Sequence, residues 1–154
     1  MLNEAEKKRI KEIIREYQHK PAASMEVLRM IQSNRGWVSD EDISEAAESL
    51  EMSSEELDGI ASFYDLIFRK PVGRHVVLVC DSVSCWTMGY KVIRDRLMQS
   101  LGINLGETSL DGRFTLLPAA CIGMCDHAPA MVIDTDLYED VTEQMINEIL
   151  SRYE

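Results

Sequence analysis

Four cysteines make up the whole thiol complement of this 154-residue chain, and they fall in two short stretches. CDSVSCW at 80–86 holds Cys80 and Cys85; CIGMCDHAP at 121–129 holds Cys121 and Cys125, with thirty-five residues between the pairs. Three chemistries use four thiols in this way. Structural zinc takes a tetrahedron of thiolates, usually from short CxxC knuckles, and a dithiol redox site wants CxxC at a helix N-terminus. CxxxxC and CxxxC supply neither spacing. Four thiolates also ligate a 2Fe-2S cluster, but the plant-type run CxxxxCxxC is absent. Spacing alone therefore leaves the cluster open beside a four-thiolate zinc module. The residues between the thiols favour the cluster. Ile122, Gly123 and Met124 are small or apolar, Trp86 follows Cys85, and Gly123 can take dihedrals that let N–H groups approach sulfur. Such a unit with four thiolates carries roughly −2 when oxidised and roughly −3 when reduced. Asp81 and Asp126 beside it would oppose reduction, so a low potential is expected.

Composition bounds the setting of this site. The net charge of −11 repels phosphate backbones and anionic lipid, which argues against nucleic acid and against direct membrane contact. No stretch reaches the roughly 18–20 apolar residues of a membrane span, and MLNEAEKKRIKEII has neither an apolar signal core nor the acid-free character of a transit peptide. A cytoplasmic protein is expected, in which cysteines serve as metal ligands or redox thiols rather than as disulfides.

Two regions with different periodicities must position the thiols. Residues 1–70 read as helices alone. Asn3 with Glu6 forms a candidate capping box ahead of Ile10, Ile13, Ile14 and Tyr17; Pro21 ends that element. A second helix, with Met25, Leu28 and Ile31 inward, runs from about Ser24 to Asn34 and stops at Gly36. Ser39 with Asp42 opens a third, and Ser53 with Glu56 a fourth through Leu57, Ile60 and Phe63. A small N-terminal helical bundle follows. From 71 to 154 the pattern is α/β. HVVLV reads as a strand buried on both faces and ends at Cys80. Residues 86–101 are helical through Met88, Val92, Leu97 and Leu101. RFTLLP and AMVID are strands, LY at 137–138 a short one, and Asp140 with Glu143 caps a last helix bearing Met145, Ile149 and Tyr153. A small sheet flanked by helices results. Each cysteine pair follows a strand, and parallel neighbouring strands would bring both loops to one sheet end.

The stretches CDSVSCWTMGY, GRFTLLPAACIGMCDHAPAMVID and LYEDVT, preceded by NRGWVS and ASFYDLIF, resemble the thioredoxin-like 2Fe-2S subunits of respiratory complex I, the bacterial NADH:quinone oxidoreductase. The similarity runs from about Pro21 to the end. It implies a helical N-terminal domain before a thioredoxin-like ferredoxin domain. It also implies one 2Fe-2S cluster ligated by Cys80, Cys85, Cys121 and Cys125. The implied partners are an FMN- and NADH-binding flavoprotein subunit, with whose flavin the cluster exchanges single electrons, and other complex I subunits. The implied location is the peripheral arm of a complex on the inner membrane. Related subunits serve NAD-linked hydrogenases and formate dehydrogenases, so those assemblies are the alternative.

The remaining chemistry-bearing residues carry plainer readings. His127 belongs to the surroundings of the site, since four thiols already complete a ligand set. Pro129 suits either the cis proline of thioredoxin-like folds or a trans turn. Trp37, Phe63 and Tyr64 are expected in the core, with a partner-facing position as the alternative, and DEDISEAAESLE on a solvated helix face. No dinucleotide fingerprint, catalytic triad or carboxylate pair is present, and GINLG at 102–106 is not a phosphate loop. Nothing in the chain accepts a hydride, so the isolated chain is expected to be catalytically silent and to act within an oxidoreductase complex.

Overall fold

Three capping boxes start three of the four α-helices of the first region. The computed structural model describes residues 1–153 and divides into two compact units, Met1–Pro71 and a second from Val72 onward. In the first unit α1 spans Glu4–Arg15, α2 Ser24–Arg35, α3 Asp40–Leu50 and α4 Ser54–Phe63, with a 3-10 turn at Lys20–Ala23. Asn3 with Glu6, Ser39 with Asp42, and Ser53 with Glu56 each form both reciprocal bonds of a capping box. Gly36 ends α2 in the left-handed region at φ 81°. Ile10, Ile13, Val27, Leu28, Ile31, Leu50 and Leu57 form a dry core between the helices.

Arg35 joins three of these helices. Its guanidinium donates two bonds to Glu6, at 3.1 and 2.6 Å, and one to Asp42 at 2.9 Å. Both carboxylates are buried and both also close capping boxes. One cation at the end of α2 thus neutralises the first turns of α1 and α3. The Arg35 bond, aided by the Asn3 backbone, holds the Glu6 carboxyl down at about 2 although burial pushes it the other way.

The second unit is a four-stranded sheet in the order β2-β1-β3-β4, with β1 at His75–Cys80, β2 at Phe114–Ala119, β3 at Met131–Ile133 and β4 at Asp136–Tyr138. β1 pairs parallel with β2 and antiparallel with β3; β3 pairs antiparallel with β4. In register, Val77, Leu116 and Ile133 share one face with Val79 and Met131. Ile93 and Leu97 of α6 (Tyr90–Leu101), with Ile146 and Ile149 of α7 (Met145–Leu150), complete that core. Tyr153 anchors the chain end, donating its hydroxyl to Asp136 at 2.7 Å.

Four local expectations fail here. Phe63 and Tyr64 are exposed rather than core, at 78% and 45%, while Trp37 is half-buried. Leu57 and Ala61 face the bundle instead, so α4 carries a second apolar edge turned to solvent. The helix read over 86–101 is two: α5 at Val83–Thr87, then α6 after Gly89, whose φ of 114° interrupts the helix. That break shifts the helical phase. Tyr90, Ile93 and Leu97 point inward, and Met88 and Val92 lie exposed. Asp140 does not cap α7; it sits at φ 48° and its carboxylate takes a bond from His127.

Removing Arg35 would leave buried Glu6 without a cation and buried Asp42 with only the Met1 ammonium, at 4.0 Å. Arg35→Met should destabilise the helical unit by about 3 kcal/mol. The Glu6 pKa lies below its ordinary value, so the stabilisation it brings is complete above pH 4.5 and disappears as pH falls toward 2. Melting curves from pH 7 to 2 should show a stability loss of about 2 kcal/mol in that window, and Glu6→Gln should flatten it.

Candidate metal centre

The parallel pairing of β1 with β2 builds the site. Cys80, the last residue of β1, is in register with Ala119, the last residue of β2. Both strands therefore release their loops at one end of the sheet. Asp81 N–H donates to the Ala119 carbonyl at 2.9 Å and carries the pairing one residue further. β3 closes the other side, with Cys80 N–H donating to the Ala130 carbonyl at 3.2 Å.

All four thiols are free. Cys80 and Cys85 are buried, at 3% and 2% exposed, with Cys85 held in α5 and adjacent to Cys80. Burial, and then the neighbouring Cys80 thiol, push the Cys85 thiol up to about 11, against the pull of the Ala130 backbone. Cys121 and Cys125 are exposed, with sulfurs 3.9 Å apart. The Gly123 backbone N–H, then Cys125 and the Ser82 hydroxyl, hold the Cys121 thiol below the usual range. The thiols thus stand two and two; among the described residues no three or more His, Cys, Asp or Glu side chains are grouped as around one metal ion.

The donor set fits iron and sulfide. Two thiolates on one tetrahedral metal, with bonds of about 2.3 Å, stand about 3.8 Å apart, which Cys121 and Cys125 already match. Gly123, at φ 87°, turns the chain between them in a conformation that L side chains rarely adopt. Ile122 and Met124 pack against the core of the second unit and cover the inner side of the loop. Trp86, expected in that apolar cover, is 60% exposed and stacks on Tyr90, with ring centroids 5.4 Å apart.

A second tie fixes the Cys125 loop from behind. A 3-10 turn spans Cys125–His127, the His127 Nδ1 lies 2.9 Å from an Asp140 carboxylate oxygen, and Asp140 N–H donates to the His127 carbonyl at 2.9 Å. Asp140 chiefly raises the His127 pKa, so the ring serves as the loop's anchor. The Ala128–Pro129 peptide is cis, one of the two forms open to it from sequence. Ser82 was missed at the sequence level. It stands at the N-cap of α5 with extended dihedrals but makes no capping bond, and lies instead beside Cys121 on the other loop. No sequence signal separates these two uses of a serine.

Comparison with known proteins follows the same lines. Residues 10–154 match the family described as Thioredoxin-like [2Fe-2S] ferredoxin. The chain belongs to the thioredoxin-like 2Fe-2S ferredoxin family. It is 42% identical over 153 residues to the E subunit of the NADH-quinone oxidoreductase from Pseudomonas aeruginosa, covering 99% of this chain and 92% of that one. The corresponding protein of Escherichia coli K12 is 45% identical over 152 residues, again with 99% and 92% covered. Among solved structures, an NAD+-reducing [NiFe]-hydrogenase in the air-oxidised state superposes with a TM-score of 0.69. It is 22% identical, over 81% of this chain and 22% of that much longer one, a likeness of fold. The cofactor of this thioredoxin-like ferredoxin is a 2Fe-2S cluster, and its class is that of an electron-transport oxidoreductase subunit. Among the described residues no helix is long and apolar enough to cross a membrane.

The turn at Gly123 can be tested without touching a thiol. A Cβ there meets no atom within 4 Å, so Gly123→Ala introduces only the cost of a positive φ, about 1 kcal/mol. Far-UV circular dichroism should be unchanged, while the cluster is lost from the purified ferredoxin several-fold faster, followed by its visible absorbance.

Proposed function

We propose that this chain is the electron-transfer subunit of an NADH:quinone oxidoreductase, holding one 2Fe-2S cluster on Cys80, Cys85, Cys121 and Cys125. The observation that carries the reading is the in-register end of β1 and β2, which gathers two pairs of free thiols at one sheet end. It occurs in a chain 45% identical, over nearly its full length, to a component of the Escherichia coli NADH-quinone oxidoreductase. Cys80 and Cys85 would hold the cluster from the buried side, and Cys121 and Cys125 from the exposed side. When bound, the cluster supplies a one-electron couple.

The chain's own residues hold and shield. Ile122 and Met124 exclude water from the inner side of the loop. The Gly123 N–H and the Ser82 hydroxyl favour the charged form of Cys121, as a metal-bound thiolate requires. The sequence carries no dinucleotide fingerprint, and in this reading the electron source is the flavin of an FMN- and NADH-binding partner subunit. The exposed side, with Cys121 and Cys125, is where that partner approaches. In this reading the chain sits with other complex I subunits in the peripheral arm, on the cytoplasmic side of the inner membrane. The full-length likeness to quinone-reducing relatives favours that assembly over a hydrogenase, whose likeness extends to fold alone.

Anaerobically purified protein should be red-brown, contain about two irons and two sulfides per chain, and develop an EPR signal on dithionite reduction. A colourless, zinc-loaded protein refutes the cluster. Cys125→Ala should lose the cluster or hold it poorly, and an unchanged spectrum would remove Cys125 from the ligand set. NADH should produce the EPR signal only when the flavoprotein subunit is present. Reduction of the pure, flavin-free chain by NADH would overturn the subunit role.

A further inference from the structure

The outward edge of α4 is a surface that the chain's own packing leaves unexplained. Along one side of this helix run Gly59, Ile60 and Phe63, with Glu56 at the border one turn earlier; Ile60 also packs partly against the bundle core, which Leu57 and Ala61 fill from the other side. With Met52 and Tyr64 the outward residues line an open groove of about 740 Å³. Phe63 is 78% exposed and packs edge-to-face on Tyr64, with ring centroids 5.2 Å apart. Large exposed aromatics rimming a groove are the composition of interface anchors.

Gly59 is the second observation. It lies inside a regular helix with no positive φ, where glycine costs about 1 kcal/mol relative to alanine. A Cβ built on it meets no atom of this chain within 4 Å. Neither the backbone nor the core asks for glycine there. A bare backbone at the floor of an apolar groove lets another helix approach closely, as small residues do wherever helices cross at short range.

Charge decides the occupant. Between residues 36 and 68 the sequence has ten acidic side chains and no lysine or arginine. Glu51 and Glu56 border the groove itself. Lys20 reaches Glu51 across an exposed ion pair of 2.5 Å; Glu56 accepts the Ser53 N–H at 2.9 Å but has no ion pair among the described residues, so its charge is the less compensated of the two. A second copy of a chain at −11 would bring like charge to this rim, so a basic partner is favoured. We propose that the groove formed by Met52, Gly59, Ile60, Phe63 and Tyr64 seats an amphipathic helix of another subunit, apolar toward Gly59 and carrying lysine or arginine toward Glu56 and Glu51. This docking site goes beyond the electron-transfer reading and does not depend on the thiols.

The test places the photo-crosslinking residue p-benzoylphenylalanine at position 63 of the full chain in its native host, irradiates the purified assembly and sequences the adduct. A peptide from a different chain, with helical apolar spacing and lysine or arginine on its other face, is expected. Its yield should fall at least tenfold in Gly59→Leu, whose cluster EPR signal should be unchanged, and fall further with added salt. Adducts only to another copy of this chain, to an acidic segment or to none would overturn the proposal. As isolated chains, Gly59→Ala and Gly59→Leu should melt at or about 2–4 °C above the parent. A lower melting temperature would show that the chain itself needs Gly59 and would remove the argument.

Discussion

Two strands released at the same level govern this molecule's chemistry. β1 and β2 run parallel and end in register, at Cys80 and Ala119, so the chain leaves both strands from one edge of the sheet. A shift of that register would separate the two cysteine loops along the sheet, because each residue advances a strand by about 3.3 Å. The antiparallel neighbour β3 closes over the same end through Ala130. Backbone hydrogen bonds therefore bring the two loops to one sheet end, where the thiols stand as two pairs. The site sits where open α/β sheets generally carry their ligands, beyond the carboxyl ends of adjacent parallel strands.

The two thiol pairs occupy different environments, and that asymmetry follows from the same scaffold. Cys80 belongs to a core strand and Cys85 to a helix packed over it; both are desolvated, and the Cys85 thiol resists ionisation. Cys121 and Cys125 lie on a loop whose Gly123 turn presents a backbone N–H and whose far end is tied by His127 and Asp140. A thiol must lose its proton to bind a metal, and burial makes that loss more costly at Cys85 of the inner pair than at Cys121 of the outer one. An inner buried pair and an outer open pair also give the site a direction. The core shields one side, and the other is open to solvent.

The helical unit obeys a different constraint, electrostatic rather than backbone-driven. Arg35 reconciles two buried capping carboxylates, Glu6 and Asp42, and without it the caps that start α1 and α3 would repel each other in a dry environment. This interior network explains part of the acidic excess in the sequence. It does not explain the acidic rim around Gly59 and Phe63, which faces solvent and whose glycine answers no need of the chain's own packing. Unit-internal charge and surface charge therefore have separate causes.

Much of this was legible in the residues themselves, where the information is local. Capping boxes depend on residues three apart, so Asn3 with Glu6, Ser39 with Asp42 and Ser53 with Glu56 were readable by eye. The buried strand before Cys80 and the order of elements follow from β-branched runs and turn residues. The spacing of four cysteines restricted the chemistry without choosing it, and resemblance of whole motifs narrowed it to a cluster. What depends on distant residues was not readable. A stripe of apolar residues does not say which edge of α4 meets the core, so the exposure of Phe63 and Tyr64 has no local signal. A glycine at 89 resets the helical phase after α5, so Met88 and Val92 face solvent although their spacing fits an inward stripe. Asp140 and Ser82 have the composition of caps, but contacts with His127 and Cys121 claim them instead. Sequence alone determined which side chains could bind metal and which segments would be helix or strand, because those are short-range properties. Only tertiary structure decided that the loops of Cys80 and Cys121 leave the sheet together, because the parallel register joining them links residues some forty positions apart and leaves no short-range trace.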